Sequence, residues 1–573
     1  MVKLSKTPID DKLADLRKEA EERDAARISG MENIPYINLR ETPIETEALE
    51  LLSEKIAKET AILIFKKEGD EAHVATRSSV SEGYAKAKLL LEEKGLVVVP
   101  RIASISSIRE AQEKYKSIKE EEMGGAANRI EIKESEIKER ISLEDVEKEI
   151  GEIREELDTS KILKTITKGA LSLRASDIHV EARAKNTEIR YRVDGALHSA
   201  GSIKSEIGAR ISSRIKLLSN LKLNIKDEAQ DGRFTIYKNE RPVEVRASIV
   251  PSEYGESLVL RVLDPELVGL GITDLGMGEL DEKTVRRVIK NPNGMILTTG
   301  PTGSGKTTTL YAFLKEKNKS QNKLITIEDP IEYHLEGVEQ TQVSEEDNYT
   351  FVSGLRSILR QDPDVIMIGE IRDEETAKTA VDASLTGHLV FSTLHTNDSI
   401  GTIPRLIDLG VEPSVLGSAL NIVISQRLVR KLCPSCAKEK EPTQEMKENI
   451  ENFLSSMPED RRVKSWSLRE NGDCKECLGG FKGRVGLFEL FEVDERIEEI
   501  LNEVEEDKNI INKLKKITQE KRMISLKEDG ILKALNGDTT LEEVESIAGP
   551  IDWTVYKNRE QRSAGRVGVP KKD

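Results

Sequence analysis

A chain of 573 residues is longer than one hydrophobic core can serve, so three or four domains are expected. Charged residues make up 34% and aromatics only 4%, a balance that points to solvated helices over modest cores. With 88 basic against 104 acidic residues the net charge is −16, which disfavours sequence-independent nucleic-acid binding; no apolar run suits a signal core or a membrane span, so a cytoplasmic protein is expected.

Residues 1–30 are rich in Lys, Glu, Asp and Ala and read as a flexible, partly helical arm. Apolar clusters then mark a small α+β domain over 31–120, with strands near 62–65 and 96–99. A Glu/Lys-dense stretch around Gly124 and Gly125 is expected to be a charged linker over 121–154, helical in part. A second α+β domain follows over 155–265, with an amphipathic run at 162–173, alternating strands near 188–193 and 243–249, and a turn at Asp231-Gly232. Over 266–429 the short bulky runs 295–298, 324–327, 365–368 and 389–393 read as buried parallel strands, so the fold class is α/β. The only cysteines fall in a module over 430–490; charged helices run over 491–550, and a basic, glycine-bearing tail over 551–573.

The chemistry begins at Gly300-Pro301-Thr302-Gly303-Ser304-Gly305-Lys306-Thr307, directly after the first bulky run and before a helix opened by Thr308. Glycines let backbone amides turn onto phosphate oxygens, Lys306 reaches the β- and γ-phosphates, and the Thr307 hydroxyl suits magnesium. ATP and Mg2+ are therefore expected. Glu328, Asp329 and Glu332 form an acidic station at the end of the next strand, able to hold metal or orient water; alone it would read as a solvated loop. Glu370 ends the 365–368 strand and is the expected magnesium and water residue, with Asp364 a turn former. His388 and His395 bracket the following strand; a histidine can report a γ-phosphate, although core histidines are commoner. Which carboxylate is the general base stays open.

Cys433, Cys436, Cys474 and Cys477 form two Cys-x-x-Cys pairs, four soft ligands suited to tetrahedral Zn2+ with no open position, hence structural. A redox pair would need a βαβ context and leave the second pair idle.

These stations in this order resemble the type II secretion and type IV pilus assembly ATPases over residues 165–548. The likeness starts at Ser176-Asp177-Ile178-His179-Val180-Glu181 and Arg190-Tyr191-Arg192-Val193-Asp194-Gly195 and ends near Gly537-Asp538-Thr539-Thr540. Residues 36–39 and 44–57 are similar, more weakly, to that family's N-terminal adaptor. The resemblance implies a RecA-like core in a homohexameric ring, with Arg246, Arg261 and Arg233 completing a neighbour's site, and His395 and Glu332 among the catalytic groups. It implies docking on an inner-membrane platform protein, and so a peripheral place at the membrane through partners. The cysteine module and long N-terminal region match pilus assembly or secretion members and not retraction motors. Pilus assembly is the leading expectation, type II secretion the alternative, and a RecA-like nucleic-acid motor the remote one. The Arg-Leu-Gly motif that accompanies cyclic di-GMP binding in some members is not seen, so that ligand is not expected.

Overall fold

The computed structural model describes residues 8–45, 48–49, 51–112, 115, 130–137, 142–153, 156, 158–264, 269–344, 346–502 and 510–557. The chain divides into two compact units, 1–263 and 264–573. The ends of the expected arm and tail, and residues 121–129 of the expected linker, lie outside the described residues.

In the first unit, residues Pro8–Glu32 form one helix. Its later half is fastened to the small domain behind it: Tyr36 Oη donates to Glu22 Oε2 (2.7 Å) and Ser104 Oγ to Glu22 Oε1 (2.7 Å). That domain is a three-stranded sheet of β1 (Leu63–Glu68), β2 (Glu71–Thr76) and β3 (Val97–Ile102). Short helices cover a core that includes Leu49, Ile62, Ile64, Val74 and Ile108.

A seven-stranded sheet follows, made of β4 (Ile130–Ile132), β5 (Asp177–Ala182), β6 (Thr187–Val193), β7 (Ala196–Ile203), β8 (Gln230–Lys238), β9 (Arg241–Ser252) and β10 (Gly255–Leu263). Its order is β4-β8-β9-β10-β5-β6-β7. Here the structure departs from the linker expectation. β4 pairs in parallel with β8, and helix Leu143–Glu152 buries Val146 and Ile150. The cause is a sparse apolar stripe, Val146, Ile150 and Ile153, hidden in a charged run: few apolar residues, but all on one side of the helix. Gly169 and Gly201 receive it, since a Cβ at Gly169 would fall 2.9 Å from Val146 Cγ1 and one at Gly201 3.3 Å from Ile150 Cγ2.

The second unit is built on a seven-stranded sheet of β11 (Gly294–Thr299), β12 (Leu324–Glu328), β13 (Glu339–Gln342), β14 (Val365–Ile368), β15 (Leu389–Leu394), β16 (Leu420–Leu432) and, beyond a small ribbon of β17 (Lys438–Glu439) and β18 (Arg469–Glu470), β19 (Phe481–Glu492). The order is β13-β12-β14-β15-β11-β16-β19; every neighbour pair is parallel except the antiparallel β16/β19. β11, β12, β14 and β15 are buried along their whole length because helices cover both faces, which is why their sequences are unbroken bulky runs. Parallel strands send all their C-terminal ends to one edge, and the motif residues after β11, β12, β14 and β15 collect there. Among the described residues no helix is long and apolar enough to cross a membrane.

Candidate active site

The loop 300–305 connects β11 to helix Lys306–Lys317. Gly300 (φ +149°) and Gly305 (φ +89°) hold conformations that side chains rarely adopt. A Cβ would also fall 2.5 Å from Gln426 O at Gly300 and 2.8 Å from Gln426 Nε2 at Gly305. The middle of β16 therefore props the loop, with Thr309 Oγ1 donating to Gln426 Oε1 (2.8 Å).

Lys306 is buried and its ammonium donates back to Gly300 O (2.9 Å) and Pro301 O (3.1 Å). Burial pushes its pKa below the usual lysine value; Glu370 partly offsets this and Arg427 adds to it. The buried Ser304 hydroxyl has no hydrogen-bond partner among the described residues. Arg427 donates to two carbonyls, Gln426 O (2.9 Å) and Asn397 O (2.8 Å), and burial lowers its pKa too. Two cations that burial disfavours and an orphaned hydroxyl around amide-lined backbone make a site shaped for a polyanion. Pro301, Thr302 and Gly303 are exposed, and Thr307 and Thr308 are half-buried at the helix start.

Glu370 follows β14 and stays largely covered, 15% exposed; its carboxylate is paired with Arg372 and lies 3.4 Å from His395 Nε2. Arg372 also approaches Asp329 Oδ2 at 3.9 Å. Three candidates from separate stations, Glu370, Asp329 and His395, are thus brought together, through an arginine that sequence reasoning passed over. Glu328 is different. Tyr311 donates to one of its oxygens and Thr326 (2.6 Å) and Gln340 (3.2 Å) to the other, so the expected cofactor-facing carboxylate is a buried brace between the phosphate-loop helix and β13. Burial raises its pKa, and Glu332 nearby adds to that.

His388 is a correction. It stands before β15, where its backbone carbonyl accepts from Gly294 at the start of β11, and its Nδ1 lies 3.0 Å from Ala383 O. With six strand residues in between at about 3.3 Å each, it sits about 20 Å from the edge that carries the loop, so it is no nucleotide contact in this subunit. Strand direction alone separates it from His395.

The 395–399 segment is tied to the loop's base: Thr396 N donates to Thr299 Oγ1 (2.9 Å), and the two hydroxyls are 2.6 Å apart. Gln426 and Arg427 were not legible as site residues; their place depends on β16 pairing with β11, Ser425 opposite Thr299.

In the first unit, Arg233 pairs with Arg246 and Arg246 with Arg261 across β8, β9 and β10. Directly opposed residues share a face, so the three expected arginines form one row. Asp177 stands opposite Arg261, with Arg261 Nε 3.1 Å from its Oδ1.

The four cysteines converge in the second unit. Their sulfurs lie within 4.8 Å of one another, with Cys433–Cys474 at 3.8 Å and Cys436–Cys477 and Cys474–Cys477 at 3.5 Å. A tetrahedral zinc with sulfurs at about 2.3 Å would space them about 3.8 Å apart, so the donor set and its spacing fit such an ion.

Residues 153–546 match the family described as type II/IV secretion system protein, and residues 32–122 the MshEN domain. The type II secretion system protein E of Pseudomonas aeruginosa is 43% identical over 70% of this chain and 78% of its own. The type IV pilus assembly ATPase PilB of Myxococcus xanthus is 34% identical over 91% of this chain and 90% of its own. A crystal structure of the pilus retraction motor PilT with bound ADP, 28% identical, covers 69% of this chain and 98% of that one with a TM-score of 0.47.

Proposed function

This chain belongs to the type II/IV secretion system protein family and is an ATP hydrolase, and from that premise we propose that it drives type IV pilus assembly as a hexameric motor at the inner face of the membrane, docked on a platform protein. The observation that carries the hydrolytic part is the convergence at one sheet edge of Lys306, the buried Ser304 hydroxyl, Arg427 and Glu370. Lys306 would leave the loop carbonyls for the β- and γ-phosphates, and the loop amides would grip their oxygens. Magnesium, held by the Thr307 hydroxyl and Glu370, would supply charge neutralisation to the phosphates. Glu370 orients the attacking water, and His395 beside it responds to the γ-phosphate. Arg246 and Arg261, with Arg233 beside them, would be delivered to the site of the neighbouring subunit.

Pilus assembly is favoured by the PilB relative, whose likeness runs through 91% of this chain and so includes the N-terminal region. Type II secretion is the second reading, supported by the higher identity of the protein E relative, 43% over 70% of this chain. We further propose that the four thiolates hold one structural zinc.

Lys306→Ala and Glu370→Gln should each lower steady-state ATPase activity about a hundredfold or more, because each removes a contact to developing charge. Parent-like turnover in both variants would remove the assignment.

A further inference from the structure

Glu489 plays no part in the chemistry above, yet it holds the segment that does. It lies on β19, 7% exposed, opposite Ser425 of β16. Its Oε1 accepts from both the amide (2.9 Å) and the hydroxyl (2.6 Å) of Ser399, and its Oε2 from the amide of Leu526 at 3.4 Å. Ser399 closes the 395–399 segment. That segment places His395 against Glu370, locks Thr396 to Thr299 under the phosphate loop, and offers Asn397 O to Arg427.

On its other side Glu489 meets the first amide of helix Leu526–Leu535, a fixed mount. Phe488 N donates to Asp529 Oδ2 (2.8 Å), and Lys533, paired with Asp529, donates to Gly486 O (2.6 Å). Helix and strand are therefore fastened to each other beside Glu489, at Gly486 and Phe488.

A carboxylate here is costly. Burial raises its pKa and Asp398 adds to that. Packing alone would be served by glutamine, but glutamine has one acceptor oxygen and the site presents donors to two. The geometry points to Glu489 as a positioning residue for ATP hydrolysis: it mounts the 395–399 segment on the C-terminal helix and so sets where His395 and Arg427 stand when the phosphate is transferred. This inference rests on the hydrolytic reading above.

The test uses the full chain, with Glu489→Gln, Ser399→Ala and the double variant. Three quantities are read: kcat and KM for ATP, the affinity for a fluorescent ATP analogue, and the thermal midpoint. For Glu489→Gln we expect kcat to fall about tenfold or more, with analogue affinity within about threefold of the parent and an unchanged midpoint, because misplacement acts on the transition state more than on binding. Ser399→Ala keeps its amide bond and should lose less. The double variant should be no worse than Glu489→Gln, since both break one contact.

Parent-like kcat in Glu489→Gln overturns the proposal; so does a fall in kcat matched by loss of analogue affinity and of the thermal midpoint. If Glu489→Gln does not fold, Ser399→Ala decides alone: reduced kcat with intact affinity supports it, parent-like kcat overturns it. An inactive parent would instead indict the hydrolytic reading.

Discussion

Tyr311, Thr326 and Gln340 all donate to Glu328, a carboxylate 3% exposed. Burial still wins and raises its pKa above the ordinary 4.5. The sign follows from linkage: the folded state holds this proton more tightly than the unfolded one, so the stability contribution is complete below 4.5 and is lost as pH rises through the folded value. Glutamine cannot ionise and escapes that loss. Denaturant midpoints of the parent and Glu328→Gln, compared at pH 4 and pH 7, should shift in favour of the variant at the higher pH; a difference that does not change with pH would contradict the burial argument. The same residue shows the reach of sequence reading. The acidic station at the end of β12 was legible, because short polar runs after buried strands collect at one edge. Which acid turned inward was not, because Tyr311 and Gln340 come from other elements.

At the scale of elements, the parallel strands were legible since burial on both faces leaves only bulky residues. Strand direction then decided what the motif could not: His395 falls at the site edge and His388 at the far edge. Pairing between distant strands was hidden, and with it the place of Gln426 and Arg427 under the phosphate loop. The packing of helix Leu143–Glu152 was hidden because three apolar residues in a charged, partly helical run look like a linker until their spacing is matched to a receiving surface. The cysteine pairs were legible from spacing, and their sulfurs meet across the loop between β16 and β19. The regular structure of that loop, helix Gln444–Ser456 and the two-residue strands β17 and β18, lies between the two cysteine pairs, so a bound ion that ties the pairs together should carry folding energy. Cys436→Ser should drop zinc content from near one per chain to near zero and make residues 433–481 protease-sensitive. Full protease resistance in metal-free protein would exclude the metal's structural role.

For the whole molecule, the row Arg233, Arg246 and Arg261 concentrates positive charge on one face of the first unit's sheet, balanced in part by Asp177 and Glu244. A shared site in a ring follows if that row serves the next subunit's phosphates, where charge spreads during transfer. Mixing Arg246→Ala with Lys306→Ala tests this, because each retains what the other lacks. Some mixed interfaces would pair an intact loop with intact arginines, so activity should partly return. If subunits exchange and the mixture stays as inactive as its components, the arginines act within their own subunit or only support the fold.

The four-cysteine segment leaves and rejoins the sheet at one spot. Leu432 is paired with Phe481, and Cys433 N donates to Gly480 O at 2.9 Å. In topological terms it is a long hairpin loop, and its removal would require repair at a single turn. Its apolar side chains, Ile450, Phe453, Met457 and Leu468, nonetheless share a core with Ile531, Leu535, Ile551 and Tyr556 of the C-terminal region. A lineage that lost the loop would bare those residues to water. Loop and C-terminal region are thus bound to one inheritance: a gene that discards the first must also rewrite the second.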